Sequence, residues 1–142
     1  MVRFLLDTNH LSEGLRPVSH VRDRIGKLRL NGIIVGTCIP VICELEAVLP
    51  AGERGEKYHR ALQSFLGRVR LWPLDLEVAR NFGAVYKELR QRGRVMSQVD
   101  MMLAALARQM DLTIATTDLD FGALPDLRTE NWVNAVLGTQ GP

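Results

Sequence analysis

Three short apolar runs limit this chain more than any other feature. They are Arg3 to Leu6, Ile33 to Thr37 and Leu112 to Thr116. Each is too short for a stable helix and reads as a buried strand. Between them the apolar residues fall at helical spacing. Val18, Val21, Ile25 and Leu28 mark one helix, which Asn31-Gly32 stops. Pro40 suits the first turn of a second, carrying Ile42, Leu45, Val48 and Leu49 and ended by Pro50-Ala51-Gly52. Tyr58, Leu62, Phe65, Leu66 and Val69 mark a third; Val78, Phe82, Val85, Tyr86 and Leu89 mark a fourth that Gly93 closes. Ser97 is placed to cap a fifth, with Val99, Met102, Leu103, Leu106, Ala107 and Met110. Val69 to Leu74 predicts a further strand weakened by Pro73, and Leu127 to Trp132 an edge strand. Strands that alternate with helices build a parallel sheet covered on both faces. The expected fold class is α/β, in three layers around a short parallel central sheet.

A chain of 142 residues makes one domain. At that size roughly 70% of the unfolded surface is hidden without staples. A single domain over residues 1–137 is expected, with 138–142 as a flexible tail. No apolar run approaches the roughly 18 residues of a membrane span. The first residues enter a strand at once and lack a signal-peptide layout, so a cytoplasmic location is expected. Cys38 and Cys43 form no Cys-x-x-Cys and are expected to be buried free thiols in a reducing compartment. His10, His20 and His59 show no zinc-ligand spacing. Net charge is only +2, yet of 18 basic residues just Lys27, Lys57 and Lys87 are lysines. Arginine forks phosphate bidentately and stacks on bases. Arginine-favouring codons in a GC-rich genome would give the same bias, so it decides nothing by itself.

The acidic residues take their meaning from their places in this order. Asp7 ends the first strand and opens Asp7-Thr8-Asn9; Asp118 and Asp120 follow the Leu112 to Thr116 run. Glu44 and Asp100 each lie about one turn into a helix. In a parallel sheet, ligand sites form beyond the carboxyl ends of the strands. Carboxylates gathered there without lysines repel one another, and a hard divalent cation such as Mg²⁺ or Mn²⁺ removes that cost. Each acid also has an ordinary reading. Asp7 is a candidate N-cap, although Thr8 or Asn9 can serve instead. Ser97 and Asp100 have capping-box spacing. Glu44 stands on an apolar helix with Glu46 nearby as the plain solvent-facing acid, and Asp118 and Asp120 suit a turn.

Taken together the pattern is strand–Asp, helix–Glu, helix–Asp, strand–Thr-x-Asp-x-Asp-Phe. It resembles the PIN-domain nucleases, and most closely the VapC-type toxins of bacterial toxin–antitoxin pairs. The matching residues are Leu6-Asp7-Thr8-Asn9, Glu44-Leu45, Asp100 ahead of Met102-Leu103-Ala104-Ala105-Leu106-Ala107, and Thr116 to Phe121; Leu127 to Trp132 resembles the family's closing Leu…Asn-Trp. The resemblance runs from residue 3 to about residue 133. It departs from the family at Val95 to Val99 and at Val48-Leu49-Pro50, where relatives often carry small residues, and neither departure touches a proposed ligand.

The resemblance implies a PIN-like α/β/α fold and a metal-dependent ribonuclease holding one or two Mg²⁺ or Mn²⁺ ions. Asp7, Glu44, Asp100 and Asp118 would be its catalytic carboxylates and metal ligands, with Asp120 as a fifth metal-binding residue. Thr8, Asn9, Thr116 and Thr117 would orient carboxylates or contact a phosphate. Arg16, Arg22, Arg24, Arg90, Arg92 and Arg94 are candidates to hold RNA at the rim. The implied partners are an RNA substrate, a small cognate antitoxin and a second copy of the chain. The apolar surface from Ile42 to Phe65 is the expected seat of a partner helix. Met96, Met101, Met102 and Met110 offer adaptable contacts for a homodimer, although core packing is the better explanation for Met102 and Met110. Competing functions are a housekeeping PIN nuclease, a catalytically silent RNA-binding module, and a phosphotransfer enzyme of the haloacid-dehalogenase kind. That last class wants a second Asp two residues after the first, where this chain has Asn9.

Overall fold

The structure is a computed structural model and describes residues 1–133. Among them, five parallel strands form one sheet in the order β3-β2-β1-β4-β5. The strands are β1 (Phe4–Leu6), β2 (Val35–Cys38), β3 (Arg70–Trp72), β4 (Thr113–Ala115) and β5 (Arg128–Glu130). The helices are α1 (Thr8–Gly14), α2 (His20–Leu30), α3 (Ile39–Val48), α4 (Glu53–Leu66), α5 (Leu76–Gln91) and α6 (Gln98–Met110), with a 3₁₀ turn over Leu119–Ala123. This is the expected three-layer α/β class. Every residue of β1, β2 and β4 is buried, so helices cover both faces of the central sheet.

Strand order decides where a ligand site can form. β1 pairs with β2 on one side and with β4 on the other. The chain first winds outward through β2 to β3, then returns to the far side of β1 and winds through β4 to β5. The order therefore reverses between β1 and β4, and the crevice beyond their carboxyl ends is the topological switch point. Register brings Leu6 opposite Ala115, so Asp7 and Thr116 leave the sheet side by side. The Asp7 backbone N–H donates to the Ala115 carbonyl at 3.1 Å and extends that ladder by one residue.

Local chemistry agrees with most of the predicted boundaries. Ser19 caps α2, Asp75 caps α5 and Ser97 caps α6, each through its side chain. Pro40 sits in the first turn of α3. β3 lies at a sheet edge, where Pro73 breaks no ladder bond on a central strand. The strand pairs through Gly36↔Arg70 and Cys38↔Trp72.

Some expectations need correction. Cys38 is buried, and that burial pushes its thiol up to about 11, but Cys43 is exposed. Val41 and Leu45 define the buried stripe of α3, and position 43 falls on the opposite face. Met96 and Met101 are buried, while Met102 and Met110 are only partly covered, the reverse of the assignment in which the latter two fill the core. The helix stretch from Ile42 to Phe65 also buries Leu45, Leu62 and Phe65, leaving Val48 as its openly exposed large apolar residue. The expected domain end at residue 137 and the tail over 138–142 lie outside the described residues.

Gly36 shows how closely β2 and β3 are packed. A Cβ added there would stand 2.5 Å from the Arg70 carbonyl oxygen and 2.5 Å from Cζ3 of the Trp72 ring. Neither neighbour moves cheaply, since one is strand backbone and the other is a buried indole. Gly36→Ala is therefore expected to destabilise the fold by about 1–3 kcal/mol, read as a lower denaturant midpoint at unchanged slope. An unchanged midpoint would contradict this packing.

Candidate functional site

The site begins where β1 ends. Asp7 is 7% exposed and has two local duties. Its Oδ1 accepts the His10 backbone N–H at 2.8 Å, which makes it the N-cap of α1. Its Oδ2 has no hydrogen-bond partner among the described residues. The capping and ligand readings are thus compatible, because capping occupies one oxygen only. The next residue, Thr8, donates its hydroxyl to Glu44 Oε1 and ties the start of α1 to α3. Asn9 Nδ2 donates to Thr117 Oγ1 at 3.3 Å, across to the loop after β4.

Asp100 enters from α6. Ser97 Oγ accepts the Asp100 N–H at 3.1 Å, so the predicted cap is present and holds the first turn. Burial, above all, pushes the Asp100 carboxyl up to about 6; the Ser97 hydrogen bond works against the rise. Asp118 adds to the rise through both its charge and a hydrogen bond, and the charge of Glu44 adds further. Acids from two other segments, Glu44 of α3 and Asp118 of the loop after β4, therefore act on Asp100 of α6. Asp118 is held by its own turn: its N–H donates to Thr116 Oγ1 at 2.9 Å, and its Oδ1 accepts the Asp120 N–H at 2.8 Å. Asp120 is exposed, and it meets this network through its backbone rather than its carboxylate. Glu46 is the solvent-facing acid, paired with His59 at 2.9 Å.

Among the described residues these acids do not form a preformed metal cage. The donor set nevertheless suits a hard divalent cation. Within those residues no Lys or Arg pairs with Asp7, Glu44, Asp100, Asp118 or Asp120. The crowding is eased here by hydrogen bonds and, below about pH 6, by protonation of Asp100. A cation relieves the same crowding without a proton, using the same oxygens.

His10 was passed over in the sequence because its spacing suits no zinc site. It is fully buried on α1, with Nε2 accepting the Trp132 backbone N–H at 2.9 Å and Nδ1 lying 3.3 Å from Asp7 Oδ1. The available signal was its place three residues after Asp7, one turn along the same helix face.

Much of the expected arginine rim is committed locally. Arg16 pairs with Glu13 at 3.2 Å, Arg24 with Glu130 at 3.6 Å and Arg92 with Glu88 at 3.4 Å. Arg90 lies over the Tyr86 ring. Arg22, another of those candidates, joins Arg54 and Lys57 in lining a groove of about 540 Å³ with Leu15, Pro17, Tyr58 and Ala61. No helix of the described residues is long and apolar enough to cross a membrane.

Comparison with known proteins agrees with this geometry. The family pattern described as "PIN domain" matches residues 4–127. "Ribonuclease VapC2" of Haemophilus influenzae is 28% identical over 139 residues, covering 94% of this chain and 100% of that protein. "Toxin FitB" of Neisseria gonorrhoeae is 31% identical over 124 residues, covering 80% of this chain and 86% of that protein. Among solved structures, VapBC2 from Rickettsia felis, bound to a DNA fragment from its promoter, superposes with a TM-score of 0.81 at 22% identity. That match covers 93% of this chain and 99% of the other, and at such identity it speaks to the fold alone.

The raised Asp100 carboxyl has a thermodynamic consequence. Its folded value of about 6 exceeds the ordinary value near 3.8, so the folded state holds the proton more tightly than the unfolded chain. This contribution to stability is fully present below about pH 4 and is lost as pH rises through about 6. Asp100→Asn mimics the protonated form. In EDTA it is expected to raise the thermal midpoint relative to the unmodified chain at pH 7.5, with the gain shrinking by pH 4.5. A gain that does not depend on pH would contradict the crowding.

Proposed function

The chain belongs to the PIN-domain family, and on that footing we propose that it is a metal-dependent endoribonuclease acting as the toxin of a toxin–antitoxin pair. The observation that carries this reading is the set of acids at the β1–β4 switch point: Asp7 leaves β1 beside Thr116, Thr8 ties Glu44 to the start of α1, and Asp118, in the turn after β4, acts with Glu44 on Asp100. A nuclease needs negative charge there to hold a cation, and it needs the cation to accept a polyanion. A bound Mg²⁺ or Mn²⁺ supplies an activated water and neutralises charge developing on the scissile phosphate.

The chain's own residues would divide the remaining work. Asp7 would offer Oδ2 while its Oδ1 stays on the α1 cap. Asp100 and Asp118 would complete the binding set, Asp100 after losing the proton it holds below about pH 6. Glu44, steadied by the Thr8 hydroxyl, is suited to accept a proton or to hold a metal-bound ligand in place. Asn9 and Thr117, joined across the mouth of the site and partly open, offer donors to a phosphate oxygen. Asp120 is poorly placed for direct ligation, because Asp118 already caps the 3₁₀ turn and the Asp120 carboxylate is exposed beyond it.

A cognate antitoxin has a natural seat in the groove between α1, α2 and α4. Its floor is apolar and its rim carries Arg22, Arg54 and Lys57, which suits an amphipathic segment bearing acidic residues. Expression of the chain alone is expected to slow growth, and a small partner encoded beside it to restore growth. Reversing charge with Arg54→Glu and Lys57→Glu together is expected to weaken that rescue.

RNA cleavage should appear with Mn²⁺ or Mg²⁺ and stop in EDTA; cleavage at an equal rate in EDTA would sink the metal mechanism. Asp118→Asn is expected to lower the rate by about one to three decades, at about 1.4 kcal/mol of barrier for each. Asp120→Asn should cost clearly less at saturating Mn²⁺. If Asp120→Asn is the more damaging, the direct ligand after β4 has been misassigned.

A further inference from the structure

His10 stands in a position that the nuclease reading does not use. It is fully buried, yet its ring joins two distant parts of the chain. Nε2 accepts the backbone N–H of Trp132, the segment that follows β5, at 2.9 Å. A ring nitrogen that accepts a hydrogen bond carries no proton, so the neutral ring must carry its proton on Nδ1. Nδ1 has no other partner and lies 3.3 Å from Asp7 Oδ1. The contact is long and poorly aligned for a full hydrogen bond, but Nδ1–H has no alternative acceptor among the described residues. The ring is also boxed in. It meets the Trp132 indole edge-to-face at 5.7 Å, and that indole meets Phe4 of β1 edge-to-face at 5.0 Å. Trp132 Nε1 is fixed in turn by Glu130 at 2.9 Å.

We propose that His10 is a positioning residue for Asp7, presenting Nδ1–H to Oδ1 so that Oδ2 alone is turned toward the cation. The idea rests on the metal-site reading above. Asp7 Oδ1 already accepts the His10 backbone N–H. The Nδ1–H of the same residue, 3.3 Å from that oxygen, adds a dipole that favours keeping Oδ1 on this side and so biases the carboxylate against exchanging its oxygens. The arrangement is the carboxylate counterpart of a metal-binding histidine steadied by a second group, where such partners set ligand orientation. Residues 128–132 then act on the metal site without touching it. The Trp132 N–H selects the tautomer, and the tautomer supplies the donor that Asp7 needs.

Two substitutions separate this role from simple core support. His10→Asn keeps an N–H donor near the place of Nδ1 but loses the acceptor for Trp132. His10→Gln keeps an acceptor near the place of Nε2 but loses the donor to Asp7. Mn²⁺ affinity, measured by paramagnetic resonance titration of the full chain, is expected to fall about 10–100-fold in His10→Gln and distinctly less in His10→Asn. Thermal midpoints in EDTA should not follow that order, because His10→Asn strands the buried Trp132 N–H. If Mn²⁺ affinity instead tracks the midpoint across both variants, or if both bind within threefold of the unmodified chain, His10 is only core and the proposal fails. ¹⁵N shifts of the His10 ring in the unmodified protein give an independent check: a proton on Nε2 overturns the proposal outright. Should the unmodified chain bind no Mn²⁺ while that ring carries its proton on Nδ1, the metal-site reading is the one that fails, together with the role assigned to His10 within it.

Discussion

Repulsion between carboxylates is the constraint around which this molecule's functional pole is arranged. Strand order brings the ends of β1 and β4 together, and α3 and α6 each aim an acid at the same crevice. No lysine or arginine among the described residues pairs with these acids. The chain tolerates the conflict by spreading the acids over separate rigid elements. Asp7 and Asp118 are each tied down by the backbone N–H of the turn they cap, and Asp100 retains a proton up to about pH 6. A cation bound there, as proposed, would recover the stability that this crowding costs.

Capping and ligation are usually treated as rival explanations for an acid at a helix start. Here capping leaves room for both. Asp7 caps α1 with one oxygen and leaves the other open, while Ser97 caps α6 and so releases the Asp100 carboxylate from that duty. Local helix physics therefore orients the site as well as stabilising it. His10 extends that logic from helix cap to tertiary contact, since the buried backbone after β5 governs which ring nitrogen faces Asp7.

The main architecture was legible in the sequence because strands buried on both faces read as continuous apolar runs. Leu5, Leu6 and Ile114 are wholly buried, and each lies within a run recognised by its composition alone. The acids were legible by their place at the ends of those runs. What escaped was set by tertiary packing. Cys43 is exposed because α3 buries only one stripe, and a short helix gives little periodicity from which to judge that stripe. Arg16, Arg24 and Arg92, the candidates for an RNA rim, each pair with a nearby acid, a detail fixed by side-chain reach that spacing does not reveal. His10 looked like an isolated histidine because its partner, the Trp132 N–H, is 122 residues away in sequence.

The place where a divalent cation binds decides whether these carboxylates form a metal site. Crystals grown with Mn²⁺ above pH 7, with diffraction collected at a wavelength that reveals manganese, place the ion directly. The expected result is an anomalous peak in the crevice between β1 and β4, within about 2.0–2.5 Å of a carboxylate oxygen of Asp7 and of Asp100 or Asp118. Manganese absent from that crevice at saturating concentration, or bound instead at the His59–Glu46 pair on the surface, would contradict it.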